Sequence, residues 1–225
     1  MPQANSAVSN HAVLTIVSPK DGELLPADRN VMLAMKVEQF ELGKLTEGSG
    51  QNGLAYSKDG QHVHVIVDNG PYIAVYDVSK PVDLGKLTPG IHTVEAFASR
   101  SWHESVKSPG ARKIITFYVG EKKGESPVAP GAPLLSFSRP KGEYVGDDAK
   151  MIMVDFYLTN ATLGPKDYKV RVTVDGKSSV VDEWQPYHVH GLASGEHKVK
   201  IELLDPAGKA VPGPYNATER TIVVK

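Results

Sequence analysis

The chain lacks cysteine entirely, since none occurs among its 225 residues. Disulfide bonds and metal sites with thiolate ligands are therefore excluded. Long apolar runs are also missing, and no stretch reaches the roughly 18 residues that a membrane-spanning helix needs. The formal net charge is only −1, so we expect no nucleic-acid partner. The sequence has neither a Gly-x-Ser-x-Gly elbow nor a glycine-rich phosphate loop before a helix, and we predict that the protein is not an enzyme.

Helical periodicity is scarce as well, whereas strand patterns are abundant. The clearest strand is HVHVIVD at residues 62–68, in which valines alternate with His62, His64 and Ile66. A period of two that is rich in β-branched residues predicts a strand with one buried face. Asn69 and Gly70 then predict a tight turn, after which the chain resumes as a strand.

The strand at residues 62–68 has a second copy, KVRVTVD, at residues 169–175. Other matched segments flank it: SPKDGE resembles RPKGE, and LTPGIHTV resembles LASGEHKV. The first copy is longer than the second between its opening proline and this strand, which indicates an insertion. We assign the insertion to residues 43–60, a loop where extra residues are tolerated. The chain is therefore interpreted as an internal duplication.

Each copy contains about seven short strands separated by turn signals, a pattern typical of β-sandwiches. We predict an all-β fold of two tandem immunoglobulin- or fibronectin-like β-sandwiches. Residues 1–11 are expected to be a flexible lead with no visible export signal. The first sandwich is assigned to residues 12–120 and the second to residues 134–225. Between them, residues 121–133 are rich in Gly and Pro and are predicted to be a semi-stiff linker.

The order of the segments SPKDGELL, HVHVIVD, LTPGIHTVEAF and ITFYV gives the first copy a recognisable signature. It resembles small exported bacterial domains of unknown function, which have a Pro-x-x-Gly opening, a His-x-His strand and a Leu-x-x-Gly-x-His-x-Val strand. The second copy keeps the opening and the last strand but has Lys169 and Arg171 in place of the two histidines. The resemblance implies a β-sandwich exported to the periplasm or the cell surface, and it implies no activity.

His62 and His64 are the best candidates for metal ligands. Alternate residues of a strand point to the same side, about 7 Å apart. Two imidazoles so placed can share a Zn or Cu ion if a third ligand reaches them, and His103 in the SRSWHES loop is the expected third ligand. The alternative is that both histidines are ordinary polar residues on a solvated sheet face. Lys169 and Arg171 at the matched positions of the second copy favour that alternative.

His188 and His190 form a second His-x-His pair. They align with Asp83 and Gly85 of the first copy, so they do not repeat the pair at residues 62 and 64. We interpret them as the end of a loop and a short strand, with metal binding as the alternative.

His92 and His197 occupy equivalent positions in the two copies, each two residues after a glycine and in phase with apolar side chains. We expect a structural role for both, with the imidazole hydrogen-bonded to the preceding turn.

The two tryptophans lie in or beside loops, where an exposed ring suits sugar stacking or protein contact. The alternative is that each tryptophan is buried at the end of its sandwich and has a structural role. The candidate partner-binding residues are Tyr72, Trp102, Glu104, Trp184 and Tyr187.

The predicted function is a non-catalytic, exported binding or structural module that contacts a protein or polysaccharide through loops of the first domain, without a cofactor. The first alternative is a periplasmic copper- or zinc-binding protein that uses His62, His64 and His103. A further alternative is the binding part of an extracellular hydrolase.

Overall fold

A computed structural model describes residues 11–225. These residues form sixteen strands and two short 3-10 turns, Pro109–Ala111 and Gly146–Ala149, which confirms the all-β prediction. They divide into two compact units. The first runs up to Ser49 and resumes at Tyr56–Ser126, and the second comprises Gly50–Ala55 and Pro127–Lys225. Within the described part of the chain, no helix is long and apolar enough to cross a membrane.

The first unit is a sandwich of two sheets. Its strands are β1 (Val13–Ser18), β2 (Leu24–Leu25), β3 (Met32–Glu38), β4 (His62–Val67), β5 (Ile73–Val75), β6 (Val82–Asp83), β7 (Gly90–Ser99) and β8 (Arg112–Val119). One sheet has the order β1-β3-β6 and the other the order β2-β8-β7-β4-β5. Strand β2 runs parallel to β8, whereas the other pairs are antiparallel. The core contains residues of both sheets, such as Leu33, Val65 and Phe117.

The second unit repeats this topology. Its strands are β9 (Leu134–Arg139), β10 (Gly142–Tyr144), β11 (Met151–Thr159), β12 (Lys169–Val174), β13 (Lys177–Val181), β14 (Tyr187–His190), β15 (Gly195–Leu204) and β16 (Ala217–Val224). The sheets have the orders β9-β11-β14 and β10-β16-β15-β12-β13. Strand β14 takes the place of β6, as the alignment of His188 with Asp83 predicts. The shared topology agrees with the duplication inferred from the sequence.

Strand β4 is buried on both faces, although its alternating pattern predicts one buried face. Val63 and Val65 belong to the core between the sheets. On the opposite face, His62 and His64 are 0% exposed and Ile66 is 1% exposed. The interpretation of the two histidines as residues of a solvated face is therefore wrong, because the side chains of Tyr72, Tyr76 and His103 lie against them.

Candidate metal centre

The candidate site lies on the outer face of the five-stranded sheet in the first unit. His64 on β4 is opposite Ala74 on β5 and Phe97 on β7. Directly opposite residues of an antiparallel sheet share a face, and so do residues two apart on one strand. The register therefore brings Tyr72 and Tyr76, two residues to either side of Ala74, to the face that carries the histidines.

The three predicted ligands meet at this face, and we call them the histidine cluster: His62, His64 and His103. Nε2 of His62 lies 3.0 Å from Nε2 of His64 and 3.0 Å from Nδ1 of His103. One ring nitrogen from each residue lies within 4.8 Å of the other two. The structure therefore brings together the three side chains that the sequence analysis named, whereas metal binding stays a prediction.

A backbone carbonyl orients the central ring of the cluster. Nδ1 of His62 lies 2.9 Å from the carbonyl oxygen of Gly60, which can only accept a hydrogen bond. Nδ1 must therefore carry the proton, and in the neutral ring Nε2 presents its lone pair to the other two imidazoles. This tautomer is the one that a metal ion bound at Nε2 requires.

Two tyrosines that the sequence analysis did not place at the site line the cluster. The ring of Tyr72 stacks on that of His64, with centroids 3.5 Å apart and planes 8° apart. Its hydroxyl lies 3.3 Å from Nδ1 of His103. The ring of Tyr76 lies 4.9 Å from that of His62, and its hydroxyl lies 2.7 Å from Oγ of Ser57. Side chains alternate between the two faces of a sheet along β5 as they do along β4. This alternation, applied to both strands of the hairpin, could have indicated that the two tyrosines share the face of His62 and His64.

His103 has an uncommon backbone conformation, with φ at 70°. A residue with a Cβ atom adopts this left-handed region at a cost of about 1 kcal/mol. The conformation is held by the surrounding turn, in which the amide of His103 donates to the carbonyl of Arg100 and the amide of Arg100 donates to the carbonyl of Glu104, both at 2.9 Å. The loop therefore keeps the third imidazole turned toward β4.

Trp102 and Glu104 brace this loop. The indole N–H of Trp102 donates to Oε2 of Glu104 at 2.8 Å. The guanidinium of Arg100 lies 5.8 Å from the centre of the Trp102 ring and 3.9 Å from the same carboxylate oxygen. Trp102 is only 9% exposed and Tyr72 only 3% exposed. Both rings are therefore buried rather than exposed, and their contact with a partner stays a prediction.

The insertion at residues 43–60 is fastened to the loop that carries His103. The amide of Thr46 donates to Oγ of Ser101 at 2.8 Å, and the amide of Ser101 donates to Oγ1 of Thr46 at 3.0 Å. The amide of Ser57 donates to the carbonyl of Ser101 at 2.8 Å. These bonds attach the insertion to the loop that carries His103, the third residue of the histidine cluster. The second copy lacks the insertion and has Lys169 and Arg171 at the matched positions of β12, so it does not repeat the cluster.

The other candidate residues lie outside this site. The exposed rings of His188 and His190 are 6.5 Å apart on β14, and among the described residues they belong to no group of three ligand-type side chains. Trp184 and Tyr187 are half-buried. The indole N–H of Trp184 donates to the carbonyl of Phe156, and the Tyr187 hydroxyl donates to the carbonyl of Glu183. Contact of these two rings with a partner stays a prediction.

His92 and its counterpart His197 make the predicted hydrogen bonds to the preceding turns. Nε2 of His92 donates to the carbonyl of Thr88 at 2.7 Å, and its Nδ1 lies 2.6 Å from a carboxylate oxygen of Asp68. His197 makes the same two contacts in the second unit, with Asp175 as the carboxylate partner. The sequence analysis expected the turn contact but not the acidic partner.

In the second unit, the charges of His197 and Asp175 stabilise each other. Nε2 of His197 faces the carbonyl of Ala193 and Nδ1 faces Asp175, and since both oxygens are acceptors the ring is best satisfied when doubly protonated. The hydrogen bond to Asp175 is the main cause that raises the pKa of His197 above its ordinary value of 6.5. The same bond is the main cause that lowers the pKa of Asp175.

Comparison with known proteins finds only solved structures of low similarity. No protein-family model matches the chain, and no curated protein matches it. Among solved structures, the fibronectin(III)-like modules of Clostridium thermocellum CbhA are 15% identical, with coverage of 95% of this chain and 94% of that chain and a TM-score of 0.31. The Bacteroides ovatus protein SGBP-B, solved with a mixed-linkage heptasaccharide, is 12% identical, with coverage of 94% and 70% and a TM-score of 0.26. The central fibronectin-III array of RIM-binding protein is 13% identical, with coverage of 94% and 68% and a TM-score of 0.26. Likeness at this level says nothing about what this chain binds, so the partner and exported location stay predictions.

Proposed function

We propose that the first unit binds a transition-metal ion, copper or zinc, through the histidine cluster. One observation carries the proposal: Nε2 of His62 lies 3.0 Å from a ring nitrogen of His64 and 3.0 Å from one of His103. Two imidazole nitrogens that each bind one ion at about 2.0–2.1 Å are themselves separated by about 2.9–3.5 Å at ordinary coordination angles. The two separations that involve Nε2 of His62 fall within this interval, and the three nitrogens all lie within 4.8 Å of one another.

The protonation pattern supports the same proposal. The carbonyl of Gly60 fixes the proton of His62 on Nδ1, so Nε2 of His62 has a free lone pair. Nε2 of His64 and Nδ1 of His103 both lie next to this nitrogen. A ring nitrogen has a single lone pair, so Nε2 of His62 cannot serve two neighbouring donors equally well. A metal ion would instead accept one lone pair from each of the three imidazoles, as in three-histidine sites. Imidazole ligands suit Zn and Cu among the common metals.

The way the site is built also favours a ligand role. His62 and His64 are 0% exposed, and burial of polar rings is costly unless their nitrogens have partners. His103 is held in a left-handed conformation, and such backbone strain is concentrated at functional sites. A buried, preformed set of ligands loses little conformational entropy when it binds an ion.

Calorimetric titration with Cu(II) and with Zn(II) tests the proposal. We expect binding with a dissociation constant of about 1 μM or below for at least one metal, weakened at least 100-fold by His62→Ala/His64→Ala. His188→Ala/His190→Ala is the matched control, since it removes the other His-x-His pair, and it should leave binding unchanged. His103→Ala changes a loop residue and guards against misfolding of the double variant. Equal, weak binding by all four proteins would refute the proposal.

A further inference from the structure

We propose that the second unit holds a separate site for Cu(I), formed by two imidazoles and two thioethers. We call these four side chains the histidine–methionine cluster: Met151, Met153, His188 and His190. It shares no residue with the histidine cluster of the first unit and goes beyond the proposed function. Within residues 11–225, no third imidazole or carboxylate completes a group with His188 and His190, but a methionine thioether is a metal ligand as well.

The register of β11 and β14 places the four side chains together. Met151 is opposite His190, and Met153 is opposite His188. Directly opposite residues of an antiparallel pair share a face and have Cβ atoms about 4.5–5.5 Å apart. Residues two apart on one strand share that face too, at a distance of about 7 Å. Each thioether is therefore next to an imidazole within one small patch.

The patch lies on the outer face of the three-stranded sheet β9-β11-β14. The residues between the cluster positions, Ile152 on β11 and Val189 on β14, pack in the core of the second unit. Because side chains alternate along a strand, the four members of the cluster project away from that core. Both histidines are exposed, whereas Met151 is half-buried and Met153 is buried. An ion from solvent would therefore meet the imidazoles first and the sulfur atoms beneath them.

The spacing of the two imidazoles is compatible with one shared ion. Their ring centroids are 6.5 Å apart. An imidazole nitrogen bonds a metal at about 2.0 Å and lies about 1.2 Å from its ring centroid, so two imidazoles on opposite sides of an ion have centroids about 6.4 Å apart. The exposed rings can rotate toward such an ion, and methionine has three rotatable bonds that let its sulfur follow. Rotamer changes without backbone movement are then sufficient for binding.

The ligand set determines which ion the patch prefers. Thioethers are soft donors, and soft sulfur ligands select Cu(I). All four donors are neutral, so the charge of the ion is not compensated by its ligands. An uncompensated charge beside partly buried side chains costs less for a monovalent ion than for a divalent one. Cu(I) satisfies both conditions, whereas Cu(II) and Zn(II) satisfy neither as well.

The first unit provides the internal comparison. Met32 on β3 is opposite Asp83 on β6, the position that aligns with His188. The carboxylate of Asp83 accepts hydrogen bonds from the side-chain amide of Asn30 and from the backbone amide of Gly85, both at 2.8 Å. The first unit thus has a thioether at this point without either imidazole, so the histidine–methionine cluster is a feature of the second copy.

The test is an anaerobic titration of the purified full chain with Cu(I), followed by X-ray absorption spectroscopy of the loaded protein. We expect a sulfur atom about 2.3 Å from copper in the parent protein and in His62→Ala/His64→Ala. In Met151→Leu/Met153→Leu, which conserves side-chain volume, this sulfur signal should disappear. Met32→Leu is the matched control and should give the spectrum of the parent protein.

Competition with the chelator bicinchoninate measures the affinity for Cu(I). The comparison is made in the His62→Ala/His64→Ala background, so that the histidine cluster does not contribute. Adding Met151→Leu/Met153→Leu should weaken binding by about 10-fold or more, because the loss of a direct ligand costs no less than the loss of an outer-shell partner.

The outcomes separate this inference from the proposed function. Cu(I) bound by the parent protein without a sulfur signal overturns the histidine–methionine cluster. A sulfur signal that persists in Met151→Leu/Met153→Leu does the same, and so does a failure of the parent protein to bind Cu(I). The histidine cluster is tested by affinity for Cu(II) and Zn(II) and stands or falls separately. The spectra of the parent protein and of Met151→Leu/Met153→Leu decide the point even if His62→Ala/His64→Ala does not fold.

Discussion

Gly60 shows how one backbone position supports the site. Its φ is 90°, and a Cβ atom there would lie 2.6 Å from the backbone carbonyl carbon and oxygen of Gly43. Its own carbonyl accepts the hydrogen bond that sets the tautomer of His62. The close approach of two backbone segments at the base of the insertion thus depends on a residue without a side chain.

We predict that Gly60→Ala destabilises the first unit by about 3 kcal/mol, from left-handed strain together with the backbone clash. Gly22→Ala is the matched control, because Gly22 has a φ of 73° and no atom within 4 Å of its ideal Cβ position. It should cost only about 1 kcal/mol. Urea unfolding of both variants measures the difference, and equal costs would show that residues 43 and 60 separate easily.

The proximity of His62 and His64 was predictable, because strand alternation places both side chains on one face. The roles of Tyr72 and Trp102 were not predictable, since a single sequence does not show which aromatic rings a loop covers. Tryptophan is a residue type that is enriched at protein interfaces. The indole N–H of Trp102, however, donates to Glu104 two residues away. Only the fold of the loop distinguishes these two roles.

At the scale of elements, the repeated histidine–aspartate pairs join the start of a long strand to the hairpin turn beside it. Asp175 follows β12 and accepts hydrogen bonds from the His197 ring on β15 and from the amide of Lys198. Asp68 follows β4 and makes the same contacts with the ring of His92 and the amide of Thr93. The pair is therefore part of the framework of both sandwiches rather than of the histidine cluster.

We predict that the stabilisation from His197 is pH-dependent. The folded pKa of His197 is raised, so its contribution is fully present below pH 6.5 and is lost as the pH rises through the folded pKa. The pKa of Asp175 is lowered, so its contribution is lost as the pH falls through the folded value. His197→Gln should cost the second unit about 1 kcal/mol near pH 6 and less above pH 8.

Thermal unfolding of the parent protein, His197→Gln and His190→Gln across this pH range checks the prediction. His190 is an exposed residue on β14 of the same unit, so its variant should follow the parent protein. A cost of His197→Gln that stays constant with pH would mean that packing of the ring, rather than its charge, supports the strand.

At the scale of the whole molecule, two units with one topology differ in their outer faces. Strand β4 has its outer face buried, whereas the matched Lys169 and Arg171 on β12 are half-buried. The sequence repeat was sufficient to predict that both units share one fold. It could not predict the burial of β4, because the insertion has no counterpart whose position could be compared.

We predict that Cu(II) protects one unit alone against hydrogen exchange. At 100 times the dissociation constant, bound metal stabilises the folded first unit by about 2.7 kcal/mol, which slows exchange through its unfolding about 100-fold. Amides of β4 and β7 should show this protection, whereas those of β12 and β15 serve as the internal control. Mass spectrometry of peptic fragments measures both, and equal protection of the two units would contradict a site confined to the first.

The fastening of the insertion to the loop after β7 has a kinetic consequence. His62 and His64 are fully buried, and hydrogen bonds between Thr46 and Ser101 hold the insertion against the loop that carries His103. An ion bound as proposed would therefore enter or leave through a local opening, so its residence time would depend on the opening rate as well as on affinity. Half-buried His103 is the point at which a competing chelator would first gain access. A chelator of higher affinity would therefore remove the ion slowly.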